Sequence, residues 1–236
     1  TRQAAVRVLE QSGITFGPER VPQEAGLSPM TVTRDRESEA IVAQTLLGDV
    51  SREGENDVRH RYSSVQGTAE FSMNGTFSVR FQPGAWAKEH ERSYEDASQS
   101  CLERIDFQGT LISSESGERP GQTVLTYYQN WEGTPLFSCQ VTLLWQDDTL
   151  LRMEGQRLSG TVTSSSEEET LSAATVLVRF LAGVTEGGFV CSRIDEMNAG
   201  YLIVSGTTRP VELTPGWRIT TDSGAYYVDA ITGELS

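Results

Sequence analysis

The side chains that could carry catalysis are few and lack partners at useful spacing. The chain has two histidines, His60 and His90. Both stand in charged stretches that predict exposed positions, and neither has a second catalytic group at the spacing of a known motif. The sequence has no G-x-S-x-G elbow, no P-loop and no G-x-G-x-x-G fingerprint. These patterns favour a chain without a catalytic residue.

Metal ligation is disfavoured by the spacing of the acidic groups. Glu89-His90-Glu91 offers three ligand types, but extended backbone places the two carboxylates on the face opposite the imidazole. The pairs Asp147-Asp148 and Asp195-Glu196 point to opposite faces of a strand and read as turn and edge residues. Asn74-Gly75-Thr76 matches a glycosylation sequon, which an Asn-Gly hairpin turn explains. We expect no metal and no cofactor.

Composition and charge bound the class of protein. The chain has 236 residues, 37% of them hydrophobic, and a formal net charge of −14. These totals predict a folded globular protein that binds neither nucleic acid nor anionic lipid. The longest apolar stretch, Val176 to Val184, is shorter than a membrane span and contains Arg179. Because no signal peptide follows Thr1, we expect that a leader was processed off or that the chain starts after a removed segment.

The elements must therefore be inferred from periodicity, and the clearest is a β-hairpin over Leu213–Leu235. Taking Ser223-Gly224 as a two-residue turn places Arg218 opposite Asp229 on the outer face. Tyr227, on the same face as Arg218, is either an exposed protein contact or covered by a neighbouring unit. Arg218 and Tyr227 are thus the candidate protein-contact residues. The remaining predicted pairs are Thr220 with Tyr227 on the outer face and Thr221 with Tyr226, Ile219 with Val228 and Trp217 with Ala230 on the core face.

Two further hairpins are predicted upstream. One turns at Asn74-Gly75, and its apolar triplets share a face only if the loop has three residues or a bulge. The other runs from Pro135 to Glu154 and turns at Asp147-Asp148. The triplets are Ala69, Phe71 and Met73 before the first turn and Phe77, Val79 and Phe81 after it. Further strands are predicted over Met30–Thr33, Thr123–Asn130, Phe189–Ile194 and Gly200–Val204.

Helical spacing predicts four helices. A capping box at Ser166 and Glu169 indicates the start of the last one, and Gly183 indicates its end. The four are Gln3–Ser12, Glu37–Leu47, a helix capped by Ser93, and Thr170–Ala182. Of the three cysteines, Cys101 falls in a helix, whereas Cys139 and Cys191 fall in predicted strands. The odd total and the lack of C-x-x-C spacing predict buried free thiols, with one disulfide left as the alternative.

The predicted turns recur at a spacing of about 73 and then about 76 residues, which suggests a repeat. Helices that alternate with antiparallel hairpins define an α+β protein made of repeated helix-plus-sheet units. We predict an N-terminal unit over residues 1–90, a middle unit over 91–162 and a C-terminal unit over 163–236. The last two are expected to superpose.

Two stretches resemble a known family. They are Tyr128-Gln129-Asn130-Trp131-Glu132-Gly133-Thr134-Pro135-Leu136-Phe137, and Pro215-Gly216-Trp217-Arg218-Ile219 with Tyr226-Tyr227-Val228-Asp229-Ala230-Ile231-Thr232-Gly233-Glu234. Both look like the extracytoplasmic part of the YycI and YycH regulatory proteins of Gram-positive bacteria, and the closing hairpin also resembles PepSY-type modules.

The resemblance implies a non-catalytic, extracytoplasmic module that is held to the membrane by a segment absent from this chain. Its implied partners are a sister regulatory protein and a sensor histidine kinase of a cell-wall two-component system. Two alternatives remain open. One is a PepSY-like peptidase-inhibiting domain, which an inhibition assay would identify. The other is a hydrolase whose site is assembled across the repeats, for which His60 or His90 would have to be buried in a cleft beside a carboxylate and a hydroxyl.

Overall fold

The computed structural model describes residues 1–35, 37–56, 59–72, 75–164, 168–205 and 211–236. Within these ranges the chain is an α+β protein, as predicted. Its helices are α1 (Arg2–Gln11), α2 (Glu37–Leu47), α3 (Tyr94–Arg104) and α4 (Ala173–Glu186), with a 3-10 turn at Pro18–Arg20. Its strands are β1 (Met30–Arg34), β2 (Ser51–Asn56), β3 (Arg59–Ser64), β4 (Gly67–Ser72), β5 (Thr76–Phe81), β6 (Gly109–Ser116), β7 (Gln122–Trp131), β8 (Thr134–Gln146), β9 (Thr149–Gln156), β10 (Gly160–Ser164), β11 (Ile194–Ser205), β12 (Val211–Thr221) and β13 (Gly224–Asp229).

The chain forms two compact units that differ from the three predicted segments. The terminal unit comprises residues 1–31, 162–204 and 212–236, and the middle unit comprises residues 32–161 and 205–211. The predicted boundary near residue 90 falls inside the middle unit because β5 pairs with β9. The N-terminal residues belong with the C-terminal ones because Val6 and Leu9 of α1 share a buried core with Leu177 of α4.

The middle unit contains a helix-plus-sheet repeat, which joins residues of the predicted N-terminal and middle segments instead of the predicted middle and C-terminal ones. Residues 37–81 form α2 followed by β2 to β5, and residues 94–156 form α3 followed by β6 to β9. The eight strands form one antiparallel sheet in the order β6-β7-β8-β9-β5-β4-β3-β2. Helix α2 contacts β3 and β4, and α3 contacts β6 and β7. Each helix therefore lies on the strands of its own repeat.

The two predicted upstream hairpins form, with the expected faces. In the first, Ala69 pairs with Val79 and Phe71 with Phe77, so the apolar residues share a face. Met73 and Asn74, the asparagine of the sequon, lie outside the described residues. In the second, β8 and β9 flank the predicted Asp147-Asp148 turn. A bulge after Leu144 adjusts the register between these two strands.

The closing hairpin turns one residue earlier than predicted, at Asp222-Ser223. The new pairs are Arg218 with Tyr227, Gly216 with Asp229, Trp217 with Val228, Ile219 with Tyr226 and Thr221 with Gly224. Each partner changes by two residues, and an even shift preserves which side chains share a face. The predicted Arg218–Asp229 pair is therefore wrong, whereas Trp217, Ile219 and Val228 are buried as expected.

Hydrogen bonds explain both the register and the position of Asp229. The Asp222 carboxylate accepts from the backbone N–H groups of Ser192 and Arg193, which holds Asp222 in the turn. The Asp229 carboxylate accepts from the N–H groups of Ile231 and Thr232 at 2.7 and 2.9 Å. Asp229 is thus used to form the next turn instead of a cross-strand ion pair.

Helix α4 begins and ends later than predicted. Ser172 is its N-cap, and the Ser172 hydroxyl accepts from the N–H of Thr175 at 3.2 Å. Ser166, the predicted cap, lies outside the described residues. Gly183 does not end the helix. The Leu235 side chain packs so closely that a Cβ on Gly183 would lie 2.8 Å from the Leu235 Cβ, which explains a glycine inside the helix.

The predicted strand over Phe189–Ile194 is absent, because β11 begins only at Ile194. The Phe189 ring instead packs edge-on against Tyr226, with centroids 5.7 Å apart. Cys191 lies in this irregular segment and is half-buried, whereas Cys101 and Cys139 are buried in α3 and β8. All three thiols are free, as predicted.

We predict that Trp217→Ala strongly destabilises the folded protein. The indole is 1% exposed, so its loss should lower the free energy of unfolding by roughly 3–5 kcal/mol. Tyr227→Ala should cost much less because Tyr227 lies on the other face and is only half-buried. Urea unfolding followed by circular dichroism measures both variants. Equal losses for Trp217→Ala and Tyr227→Ala would contradict the assignment of inner and outer faces.

Candidate functional site

The outer face of the β12–β13 hairpin carries the two predicted contact residues. Arg218 lies directly opposite Tyr227, so the structure brings them closer together than the predicted register did. Both side chains are half-buried. Tyr227 is anchored through its backbone, which accepts from the N–H of Ser236 at 2.8 Å and donates to the Ser236 carbonyl at 3.1 Å. The pair therefore stands on a backbone that is hydrogen-bonded on both sides.

The Arg218 guanidinium has an unmet hydrogen-bonding requirement. Within the part of the chain that the structure describes, its Nε atom is buried and has no hydrogen-bond partner. A buried donor without an acceptor is costly, and arginine beside an aromatic ring is enriched where proteins bind one another. The Arg218 and Tyr227 side chains are nevertheless partly exposed, so this face offers a cation beside an aromatic ring.

One end of the hairpin is fixed by Asp222. Its carboxylate accepts from the Ser192 hydroxyl at 2.6 Å as well as from the two backbone N–H groups. The Ser192 hydrogen bonds are the main cause that lowers the pKa of Asp222 to about 2. The turn between β12 and β13 is thus tied to the segment that precedes β11.

His60 lies in the core of the middle unit, which contradicts the predicted exposed position. It is 7% exposed, and its Nδ1 lies 3.3 Å from Oε2 of Glu39, which is 5% exposed. The alternation of β3 explains this placement, because His60 and Tyr62 both point inward. Glu39 reaches them from α2. Neither His60 nor Glu39 lines any of the three cavities described for this unit.

His90 is exposed, as predicted, and it is part of a surface ion-pair network. The imidazole Nδ1 lies 2.7 Å from Oδ2 of Asp148, and Lys88 Nζ lies 2.8 Å from Oδ1 of the same carboxylate. Hydrogen bonds from Lys88 and then His90 lower the pKa of Asp148. These bonds brace the turn between β8 and β9.

A polar cavity of about 270 Å³ in the middle unit was missed by sequence reasoning. The buried side chain of Gln129 frames it by donating to the Leu158 carbonyl at 2.8 Å and accepting from the Leu158 N–H at 2.9 Å. Trp131 and Arg157 contribute to its wall. The only sequence signal was the Gln129-to-Gly133 part of the family-like stretch, whose turn has positive φ at Glu132 and Gly133.

The described ranges contain no group of three or more His, Cys, Asp or Glu side chains that could hold a metal ion. In those same ranges, no helix combines the length and apolar character needed to cross a membrane.

Comparison with known proteins shows the fold and no family. No protein-family model and no curated protein matches the sequence. A crystal structure of an uncharacterized protein from Eubacterium rectale matches at 11% identity with a TM-score of 0.55, covering 89% of this chain and 85% of the other. The C-terminal domain of YpeB from Bacillus megaterium matches at 14% identity with a TM-score of 0.44, covering 87% of this chain and 98% of the other. The first match supports the overall fold alone.

We predict that Asp222→Asn destabilises the terminal unit in a pH-dependent way. The folded-state pKa of Asp222, about 2, lies below the usual value of 3.8. The charged carboxylate therefore contributes stability that is fully present above about pH 4 and is lost as the pH falls towards 2. Thermal unfolding of both proteins should differ at pH 7 and converge near pH 2.

The exposed Glu10 of α1 provides the control. At each pH between 2 and 7, the Glu10→Gln variant should unfold at the same temperature as the wild type. An Asp222→Asn protein that matches the wild type at pH 7 would show that the carboxylate does not hold this turn.

Proposed function

We propose that this chain is a non-catalytic regulatory module that binds partner proteins through the outer face of the β12–β13 hairpin. The observation that carries the proposal is the direct pairing of Arg218 with Tyr227 on the face opposite the buried Trp217. Arginine and tyrosine are the residue types that most often dominate the energy of protein interfaces. The partly exposed guanidinium of Arg218 favours a partner that presents an acidic side chain or a backbone carbonyl.

The family resemblance supplies the biological setting of the proposal. Like YycI and YycH, the module would act outside the cytoplasm and would be held at the cell membrane. Its partners would be a sister regulatory protein and the sensor histidine kinase of a cell-wall two-component system. Binding to the kinase would adjust its signalling, and no chemical step by this chain is needed for that role.

The hairpin is suited to binding because it is braced independently of any partner. Its inner face is buried in the core of the terminal unit through Trp217, Ile219 and Val228. Its turn is held by Asp222, and β13 is hydrogen-bonded to the closing residues at Ser236. A contact surface on a rigid element loses little conformational entropy on binding.

We predict that the double variant Arg218→Ala/Tyr227→Ala loses partner binding without losing the fold. The partner is first captured with the full-length, anchored protein. Its affinity for wild type and variants is then measured by biolayer interferometry. Loss of two central interface residues should weaken binding by at least about tenfold.

The exposed Arg7 of α1 offers a matched control, because Arg7→Ala also removes one positive charge from the terminal unit. This control should bind normally, and circular dichroism should show native signals for every variant. Undiminished binding by the double variant would overturn the assignment of this face as the interface.

A further inference from the structure

A second cavity in the middle unit is lined by positively charged side chains, whereas the protein as a whole is negatively charged. It has a volume of about 410 Å³ and lies where the two helix-plus-four-strand repeats meet, with α2, α3 and the segment between the repeats in its wall. Lys88, Arg92 and Arg104 line it, and no Asp or Glu is among the described residues that do so. The chain as a whole carries a formal charge of −14. We call this cavity the cationic pocket.

Among the described residues, two of the three cations form no ion pair with a carboxylate. The Arg92 guanidinium donates to the Ser100 hydroxyl and, at 3.1 Å, to the backbone carbonyl of Asp96, which are both uncharged acceptors. The Arg104 guanidinium lies 5.1 Å from the centroid of the Trp86 ring. Over the ranges that the structure describes, neither guanidinium is in an ion pair. Lys88 differs, because Asp148 pairs with it at 2.8 Å.

The aromatic part of the pocket wall is held in place by hydrogen bonds. The Trp86 indole donates to the Leu46 carbonyl at 2.7 Å, which fixes the ring that Arg104 covers. The Trp145 indole donates to the buried Ser98 hydroxyl at 2.9 Å. Burial raises the pKa of the Cys101 thiol to about 12, so Cys101 is a neutral part of the wall and no nucleophile.

We propose that the cationic pocket binds a small organic anion that combines a carboxylate with an aromatic or other apolar body. The forked guanidinium groups of Arg92 and Arg104 match the geometry of an oxyanion. Trp86 lines the same pocket and would contact the apolar body of the ligand. The volume is in the lower range of small-molecule sites and equals that of roughly a dozen water molecules, which suits a single-ring acid. This site is separate from the proposed protein contact and does not depend on it.

The test uses phenylacetate as the probe and phenylacetamide as its uncharged isostere. Two-dimensional ¹H–¹⁵N NMR of the full chain follows the indole N–H resonances of its four tryptophans during each titration. Phenylacetate should shift the Trp86 resonance in a saturable manner. Phenylacetamide and inorganic phosphate, which each lack one half of the proposed ligand, should bind at least about tenfold more weakly.

The variant Arg92→Gln/Arg104→Gln should weaken phenylacetate binding by about tenfold or more, and added salt should weaken binding to the wild type. The control is Arg61→Gln/Arg152→Gln, which removes two charges from side chains of the same unit that are 51% and 42% exposed and pair with glutamates. This control should bind like the wild type. The dispersion of the backbone amide resonances in the same spectra reports whether each variant remains folded.

The proposal is overturned if phenylacetamide binds as tightly as phenylacetate, if inorganic phosphate does so, or if the folded Arg92→Gln/Arg104→Gln variant binds phenylacetate with wild-type affinity.

Discussion

The pairing of β5 with β9 is the constraint on which the middle unit depends. It joins the last strand of one helix-plus-four-strand repeat to the last strand of the next, with Phe77 opposite Gly155. Gly155 also pairs with Val141 of β8 on its other side. Its φ is +152°, and a Cβ at this position would collide with the Gln140 carbonyl oxygen. The junction thus requires a residue without a side chain at the point where three strands meet.

Because β5 and β9 join the two repeats, the repeats share one buried core and form the cationic pocket together. The buried cluster of the middle unit includes Leu46 of the first repeat together with Leu102 and Leu143 of the second. Neither repeat buries its helix and sheet alone, which is the usual situation in repeat architectures. The segment between the repeats brings Trp86 to the Leu46 carbonyl, so the cationic pocket is a direct product of the fusion. The protein-contact face belongs to the other unit and is built by a different hairpin.

Local periodicity was sufficient for most elements, and long-range partners were not predictable from it. The bounds of α2 and the Ser93 cap of α3 depend on residues within one or two turns, and both were predicted. The register of the closing hairpin depended on Asp222 meeting Ser192, thirty residues away in sequence, which no local pattern reveals. Gly183 was read as a helix end because the close approach of Leu235 is invisible in sequence.

The same limit applies to the candidate sites. Arg218 and Tyr227 were placed on one face correctly because an even shift in register leaves faces unchanged. His60 was misjudged because its charged neighbours point outward on β3, whereas Glu39, its partner, comes from another element. The cationic pocket depends on residues that come from both repeats, and the polar cavity depends on residues that are distant in sequence within 106–160. Neither motif spacing nor composition indicates such a set.

Native-state hydrogen exchange tests the fusion of the two repeats most directly. If β5 and β9 unite them, the amides of Val79 in β5 and Met153 in β9 should be among the most protected of the middle unit. Amides of β4 and of β8 should then exchange with the same free energy of opening and the same dependence on denaturant. Opening of residues 37–81 at a lower free energy, while residues 94–156 stay protected, would contradict a single sheet with a single core.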